Sequence, residues 1–253
     1  MSALATSLIV FACVSAGAML GMFLRSRLPG HQLSSDAKDV VRLGTGLIGT
    51  MAALVLGLLI ASAKSGFDTQ STQVQQLTSN IILLDRLLAA YGPEAVDARN
   101  ALRRGIAALA ERLWHPEAST PSNKARFEET HESEDFLQKL LSLSPNSDAQ
   151  RSLKARAVET TTEIAKARLQ SFVQADGSIP TPFLVVVIFW ITIIFASFSL
   201  FAEPNAVVIW SLFIFAVSVA GAIFLILELT HPFSGLMQIS DEPLRTALGP
   251  LNP

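Results

Sequence analysis

Four long stretches of the chain carry no formal charge, and this feature constrains the fold more than any other. They cover residues 1–24, 43–63, 177–202 and 204–227. Each is rich in Leu, Ile, Val, Phe, Ala and Gly, and each reaches the roughly 20 residues that a helix needs to cross the hydrocarbon core of a bilayer. Because a buried helix of a soluble protein usually carries charge on one face, four such stretches indicate an integral membrane protein.

Most of the charge lies between the second and the third of these stretches. Residues 64–176 hold 14 basic and 15 acidic residues, out of 19 and 21 in the whole chain. The sequence therefore predicts an all-α membrane protein with four transmembrane helices, at about residues 4–24, 44–63, 183–202 and 207–227. The predicted domains are a first transmembrane hairpin (1–63), an extramembrane helical bundle (64–176), a second hairpin (177–228) and an amphipathic tail (229–253).

A heptad-like apolar pattern predicts that the second span continues beyond the bilayer as a helix. Its apolar residues recur at spacings of three and four and are Val74, Leu77, Ile81, Leu84 and Leu88. Gly92-Pro93 ends this helix, and three more helices are predicted at about 94–114, 124–143 and 148–175. On the last of these, one face is predicted to contain Val158, Thr162, Ala165, Leu169 and Phe172. Short turns between the helices favour a small antiparallel bundle.

The reactive side chains of the sequence form no pattern typical of catalysis. The four histidines lack the spacing of a metal site, and the single Cys13 can form no intramolecular disulfide. No phosphate-binding loop and no nucleophile elbow occurs. A net charge of −2 implies no basic face for DNA or RNA. We therefore expect neither enzymatic activity, nor a metal or other cofactor, nor a nucleic-acid partner.

Small residues form a stripe along one face of the second span. They are Gly46, Thr50, Ala53, Gly57 and Ala61, at spacings of four, three, four and four. Two interpretations stay open: tight packing against another helix, or the lining of a pore where several copies meet on an axis. The uncharged stretches also lack His, which disfavours a proton-relay transporter. A pore, in contrast, can conduct through hydroxyl groups and backbone dipoles.

Two blocks of sequence carry a family resemblance. The first contains residues 61–68, 80–86 and 91–93, and the second contains 227–229, 232–235 and 240–244. With these blocks the chain resembles, over nearly its whole length, the bestrophin-like domain family of bacterial integral membrane proteins. More remotely, its architecture is similar to that of the bestrophin anion channels.

The resemblance implies a homo-oligomer in the bacterial inner membrane, in contact with the lipid bilayer. Bestrophins are pentameric anion channels in which the second helix of each subunit lines the pore, and inorganic ions are therefore the expected partners. The sequence departs from that pattern, because no Phe lies between Gly44 and Ala63 to form an aromatic neck. The resemblance thus implies an ion channel whose pore-lining candidates are Gly46, Thr50, Ala53, Gly57 and Ala61.

The same two blocks contain five candidates for a gate or for anchoring the tail: Asp85, Arg86, Glu228, Pro232 and Phe233. The charged ones are expected where the bundle or the tail meets the bilayer surface. They fit an ion-entry ring, or a salt bridge or helix cap that fixes the tail to the bundle. The turn at residues 232–235 is expected to redirect the tail along the membrane surface.

Sidedness and function each leave an alternative open. Arg25, Arg27, Lys38 and Arg42 lie in the link between the first two spans, and the positive-inside rule places this link in the cytoplasm and the bundle on the other side. The bestrophin resemblance implies the reverse orientation, and we favour the charge rule. As an alternative function, the protein would be a membrane-anchored sensor or scaffold whose helical bundle binds a partner.

Overall fold

The regular structure of the protein is helical throughout the described residues, which confirms the all-α prediction. The computed structural model describes residues 2–28, 35–114, 131–175, 181–203, 205–233 and 235–243. The helices are α1 (Ala3–Arg27), α2 (Ser35–Tyr91), α3 (Val96–Trp114), α4 (His131–Ser142), α5 (Asp148–Ala175), α6 (Thr181–Phe201) and α7 (Ala206–Leu229). Four of them, α1, α2, α6 and α7, are long and apolar enough to cross a membrane.

The second helix continues far beyond the length that a bilayer requires. It contains 57 residues, which corresponds to about 85 Å at 1.5 Å per residue. It ends at Tyr91, and the next residue, Gly92, has a φ of 123°, in the left-handed region that favours glycine. A Cβ atom there would also lie 2.8 Å from Glu94 Oε2. A single 3-10 turn, Pro93–Ala95, then leads into α3, so the Gly-Pro signal ends the helix where it was predicted to.

The chain forms two compact units, and each of them is discontinuous in sequence. The membrane unit contains Met1–Phe67 and Ser178–His231, and the bundle unit contains Asp68–Gly177 and Pro232–Pro253. The tail segment after His231 therefore belongs to the bundle unit. The pairing of the four spans into two hairpins stays a prediction.

In the membrane unit, α1 packs against α6 and α7. The core is centred on Val10, Val14, Val187 and Ile223, whose exposed fractions are all 0%. Leu59 of α2 belongs to the same apolar cluster.

Two glycines of α1 allow close contact with α6. A Cβ atom on Gly17 would lie 2.8 Å from the carbonyl oxygen of Thr192. A Cβ atom on Gly21 would lie 2.9 Å from Ser199 Cβ and would overlap the carbonyl oxygen of Ala196. Because backbone atoms cannot swing aside as a flexible side chain can, the two helices approach this closely only with glycine at both positions.

The bundle unit buries the predicted apolar seam of α2. Val74, Leu77, Ile81, Leu84 and Leu88 are all at most 8% exposed, which confirms this seam. It packs with α3 and α4, whose buried contributions include Ala98, Leu102, Ile106, Phe136 and Leu140. The predicted helix over 124–143 is observed as α4 from His131, and residues 124–130 lie outside the described part of the chain.

Of the residues predicted to share one face of α5, Val158 is half-buried against the apolar core. Thr162, Ala165 and Leu169 are exposed, whereas Ala157 and Thr160 are buried. Small residues of α5 lie on several sides of the helix, so the periodicity of its sequence does not single out the buried face. Thr160 tolerates burial because its hydroxyl donates a hydrogen bond to the carbonyl oxygen of Arg156, at 2.9 Å. The side chain of Phe172, also assigned to that face, lies outside the described residues.

Candidate functional site

The small-residue stripe of α2 lies on the surface of the chain. Gly46, Thr50, Ala53, Gly57 and Ala61 are all exposed. A Cβ atom added to Gly46 or Gly57 would have no described neighbour within 4 Å. The Thr50 hydroxyl donates to the carbonyl oxygen of Leu47 at 2.8 Å, so its oxygen still has acceptor capacity. The five residues share one face, and no tight packing of this face occurs among the described residues.

A different face of α2 attaches the helix to the membrane unit. Thr45, Ala52, Leu59 and Ala63 are buried, with exposed fractions between 4% and 8%. Their spacings of seven, seven and four place them on one side of a helix. The stripe residues lie on a different side of the helix from these four. Burial of the attached face of α2 therefore leaves the stripe exposed.

Bulky apolar side chains form a leucine face of α2 that directly adjoins the stripe. Leu43, Leu47, Leu54 and Leu58 are between 64% and 76% exposed. In water this row would be costly, at about 25 cal/mol per Å² of apolar surface. In a bilayer the same leucines are satisfied by lipid or by another apolar helix. Around its circumference, the membrane-spanning part of α2 therefore has a buried face, a face of small residues and a face of leucines.

In the bundle unit, α2 carries exposed side chains that are polar but uncharged. Thr72, Gln75, Gln76 and Ser79 are all exposed. Thr72 and Ser79 donate hydrogen bonds to the carbonyl oxygens four residues before them, at 2.9 and 3.0 Å. Such side chains offer dipoles to water or ions without a fixed charge of either sign.

The candidate Asp85 lies in the interior of the bundle. It is 4% exposed, and Arg99 of α3 donates to both of its carboxylate oxygens, at 3.0 and 2.8 Å. Arg103 approaches the same carboxylate at 3.9 Å. Hydrogen bonding to Asp85 raises the pKa of Arg99, with the negative charge adding to this effect against desolvation, so the guanidinium stays charged. Asp85 therefore links α2 to α3, while its neighbour Arg86 is exposed.

The tail candidates Pro232 and Phe233 lie against the end of α3. The Phe233 ring meets the Trp114 ring edge to face, with 5.5 Å between the centroids. Trp114 Nε1 donates to the carbonyl oxygen of Ile239 at 2.8 Å. The Ile239 amide in turn donates to the carbonyl oxygen of Pro232, also at 2.8 Å. Phe233 and Ile239 thus both contact the Trp114 indole and hold the tail on the bundle.

Glu228, the remaining candidate, lies near the end of α7 in the membrane unit and is 7% exposed. Its carbonyl oxygen accepts a hydrogen bond from the His231 amide at 3.0 Å, which closes the last turn of the helix.

The sequence reasoning named Pro232 and Phe233 but missed Trp114 and Ile239. The available signal was a tryptophan at the end of a helix, since a part-buried indole N–H needs an acceptor.

A cavity of about 140 Å³ lies among the helices of the bundle, and the sequence reasoning did not find it. Helices α2, α3, α4 and α5 all contribute to its walls, which are mostly apolar. Arg168 lies at the wall, where its Nη1 donates to Ser133 Oγ at 3.2 Å. In the ranges that the structure describes, no group of three His, Cys, Asp or Glu side chains could hold a metal ion.

Comparison with protein-family models gives a match to the Bestrophin-like domain over residues 12–244, which is 233 of the 253 residues. The matched region includes all five stripe residues and all five gate or tail candidates. Neither the comparison with curated proteins nor the comparison with solved structures gives a match. The two sequence blocks and the four apolar helices agree with this match. The chain therefore belongs to the bestrophin-like family.

Proposed function

We propose that the protein is a homo-oligomeric ion channel of the bacterial inner membrane and not an enzyme. In this proposal α2 of each copy lines a central pore, and anions are the favoured permeant ions. One observation carries the proposal: the stripe of Gly46, Thr50, Ala53, Gly57 and Ala61 is exposed along α2, although small residues in membrane helices normally serve close packing.

The other two faces of α2 support this arrangement. The buried face holds the helix to its own membrane unit, and the leucine face can contact lipid or a neighbouring copy. The stripe then faces the axis, where small side chains leave a lumen open between converging helices. Permeation would rely on the Thr50 hydroxyl and on backbone dipoles, because no charged side chain lies on this part of α2.

Family membership supports the proposal from a second direction, because bestrophins conduct anions through a pore lined by the second helix. An aromatic neck of their kind is not proposed here, since the stripe contains no Phe. Selectivity would then depend on lumen width and on the dipoles that face it.

The test is chloride and potassium efflux from liposomes that contain the purified protein. Gly57→Leu adds a bulky side chain to the stripe and should abolish efflux. Gly221→Leu is the matched control, because Gly221 lies on α7, is also exposed and likewise has no described atom within 4 Å of an added Cβ. Efflux that is equal in the two variants would count against α2 as the pore lining.

A second function, a membrane-anchored sensor or scaffold, is favoured by the cavity in the bundle. Sensor domains need a place for a ligand, and the partly open cavity of about 140 Å³ among the bundle helices offers one. Folded, oligomeric protein that supports no efflux under any condition would favour this second function.

A further inference from the structure

The loop that follows α7 belongs to the bundle unit and exposes two large apolar side chains at its tip. Leu236 is 83% exposed, the largest fraction among the large apolar residues that the structure describes, and Met237 beside it is 41% exposed. Exposed apolar side chains of a soluble surface usually lie singly among polar and charged ones. Here the two are adjacent, and their exposed neighbours Gly235 and Gln238 carry no charge. The tip of the loop is therefore an uncharged surface with an apolar centre.

Contacts at both ends of the loop hold this tip in place. Pro232 and Ile239 are buried, and the Ile239 amide donates to the carbonyl oxygen of Pro232 at 2.8 Å. The Trp114 indole fixes the same end, because its Nε1 donates to the carbonyl oxygen of Ile239 at 2.8 Å. Gly235 has a φ of 100°, in the left-handed region that favours glycine, so the chain turns just before the apolar pair. The exposure of the pair is thus built into an anchored loop.

The tip follows closely on the fourth membrane-spanning helix. With 24 residues, α7 is about 36 Å long, whereas the hydrocarbon core of a bilayer is about 30 Å thick. The end of α7 at Leu229 therefore lies at the bilayer surface. Leu236 comes seven residues later, a distance that even a fully extended chain limits to about 25 Å. No Asp, Glu, Lys or Arg occurs between Leu229 and Asp241, so no formal charge in this segment opposes contact with lipid.

We propose that Leu236 and Met237 insert into the lipid surface and attach the tail loop to the bilayer. A lipid surface fits better than a protein partner, because the segment leads directly out of a span and its tip offers no charge for specific pairing. Removing one leucine from water corresponds to about a tenfold or larger preference for apolar surroundings. This contact goes beyond ion conduction and exists whether or not the protein conducts.

The test measures what surrounds a spin label on Leu236→Cys, in the full chain in phosphatidylcholine nanodiscs. Cys13→Ser serves as the background, because Cys13 is the single cysteine of the chain. Oxygen, which concentrates in lipid, and a water-soluble nickel complex each relax such a label on collision. The label should respond strongly to oxygen. Its response to the nickel complex should be about tenfold weaker than at a control position in water.

Leu141→Cys is the matched control for this label. Leu141 is also a leucine of the bundle unit and is 54% exposed. Its carbonyl oxygen accepts a hydrogen bond from the charged Lys154 ammonium at 2.7 Å, which marks surroundings that are wet. Equal nickel access at the two positions would place the tip in water and would overturn the proposal. Poor access of both reagents to the label on Leu236→Cys would overturn it too, because a second copy or another protein would then cover the tip.

A second label tests the two side chains while leaving them in place. Gln238→Cys carries the label next to the apolar pair, and Leu236→Ser combined with Met237→Ser then removes the pair. Both side chains are exposed, so the fold should tolerate this change, whereas nickel access should rise about tenfold. Unchanged access would refute the assignment of the contact to Leu236 and Met237.

Salt separates apolar insertion from electrostatic attraction. Because the segment has no formal charge to screen, nickel access to the label on Gln238→Cys should be the same at low salt and at about 1 M salt. A rise of nickel access at high salt would show that charges elsewhere hold the loop at the membrane, and would refute the proposal.

Discussion

Removing Arg99 should destabilise the bundle more than removing Asp85, although the two residues form one ion pair. The side chain of Asp85 is 6% exposed and that of Arg99 is 24% exposed. In Arg99→Met the carboxylate stays buried, with Arg103 as its charged partner at 3.9 Å. In Asp85→Ala the guanidinium that is left behind can turn towards water. Both variants lose the ion pair, but only Arg99→Met leaves a buried charge behind. The difference between their losses of stability therefore measures the cost of that remaining charge.

The magnitudes follow from this difference in burial. Breaking a buried pair by removing one partner costs about 3–5 kcal/mol, because an uncompensated charge remains. We expect about 3–4 kcal/mol for Arg99→Met, with Arg103 offsetting part of the penalty. For Asp85→Ala we expect about 2 kcal/mol, the scale of a hydrogen bond to a charged group, since Arg99 can regain water. The double variant should cost clearly less than the sum of the two single ones.

Amide hydrogen exchange of the full chain measures these losses locally. Buried amides of α2 and α3 in the bundle unit should exchange about 30-fold faster in Asp85→Ala and 100-fold or more faster in Arg99→Met. Amides of α1 and α6 in the membrane unit serve as the internal control and should keep their rates. A larger loss in Asp85→Ala than in Arg99→Met would refute the reasoning, and so would additive losses in the double variant.

Three further outcomes are expected. Gly21→Ala should destabilise the contact of α1 with α6 by about 1–3 kcal/mol, because the added Cβ would overlap backbone atoms. The control Gly221→Ala should cause no such loss, because an added Cβ there has no described atom within 4 Å. Thermal unfolding of both variants in nanodiscs tests this difference. Tyr91→Phe should leave that unfolding temperature unchanged or raise it, since the buried Tyr91 hydroxyl has no hydrogen-bond partner among the described residues; a marked fall would contradict this. Hydrogen bonding to Lys139, with its charge and Arg104 helping against desolvation, holds the pKa of Asp135 below its ordinary 3.8. The contribution of Asp135 is therefore present above pH 3.8 and is lost as the pH falls through the lowered pKa. Exchange in α4 should rise below pH 3.8, and Asp135→Asn should remove that pH dependence.

The sequence was most informative where one side of a helix, or a whole span, has the same surroundings along its length. Absence of charge marks the spans because a formal charge is costly in the hydrocarbon core of a bilayer. The seam from Val74 to Leu88 is recognisable because α2 buries one side continuously. On α5 the pattern of apolar residues does not mark the buried side, since Leu169 is apolar yet 48% exposed while Thr160 is buried. Periodicity reveals a buried face where side-chain polarity changes around the helix, and on α5 this polarity changes little.

Contacts between distant segments were the part that could not be predicted. Trp114 and Ile239 are separated by 125 positions, and nothing local in either segment indicates the other. The cavity requires four helices to be in place at once, so it corresponds to no pattern in any one of them. The stripe on α2 was recognised, but its exposure depends on which face the other membrane helices cover.

The two discontinuous units impose an order on biosynthesis. Chains are made from the N-terminus, so the helices from α2 to α5 can meet before α6 exists. The contacts of Gly17 and Gly21 must wait for Thr192 and Ala196, which are translated after the whole bundle segment. The indole of Trp114 must wait longer still, until residues 232–239 follow the fourth span out of the ribosome. Each unit therefore receives its closing segment only after most of the other has been made, and a ribosome that stalls between α5 and α7 leaves both of them open.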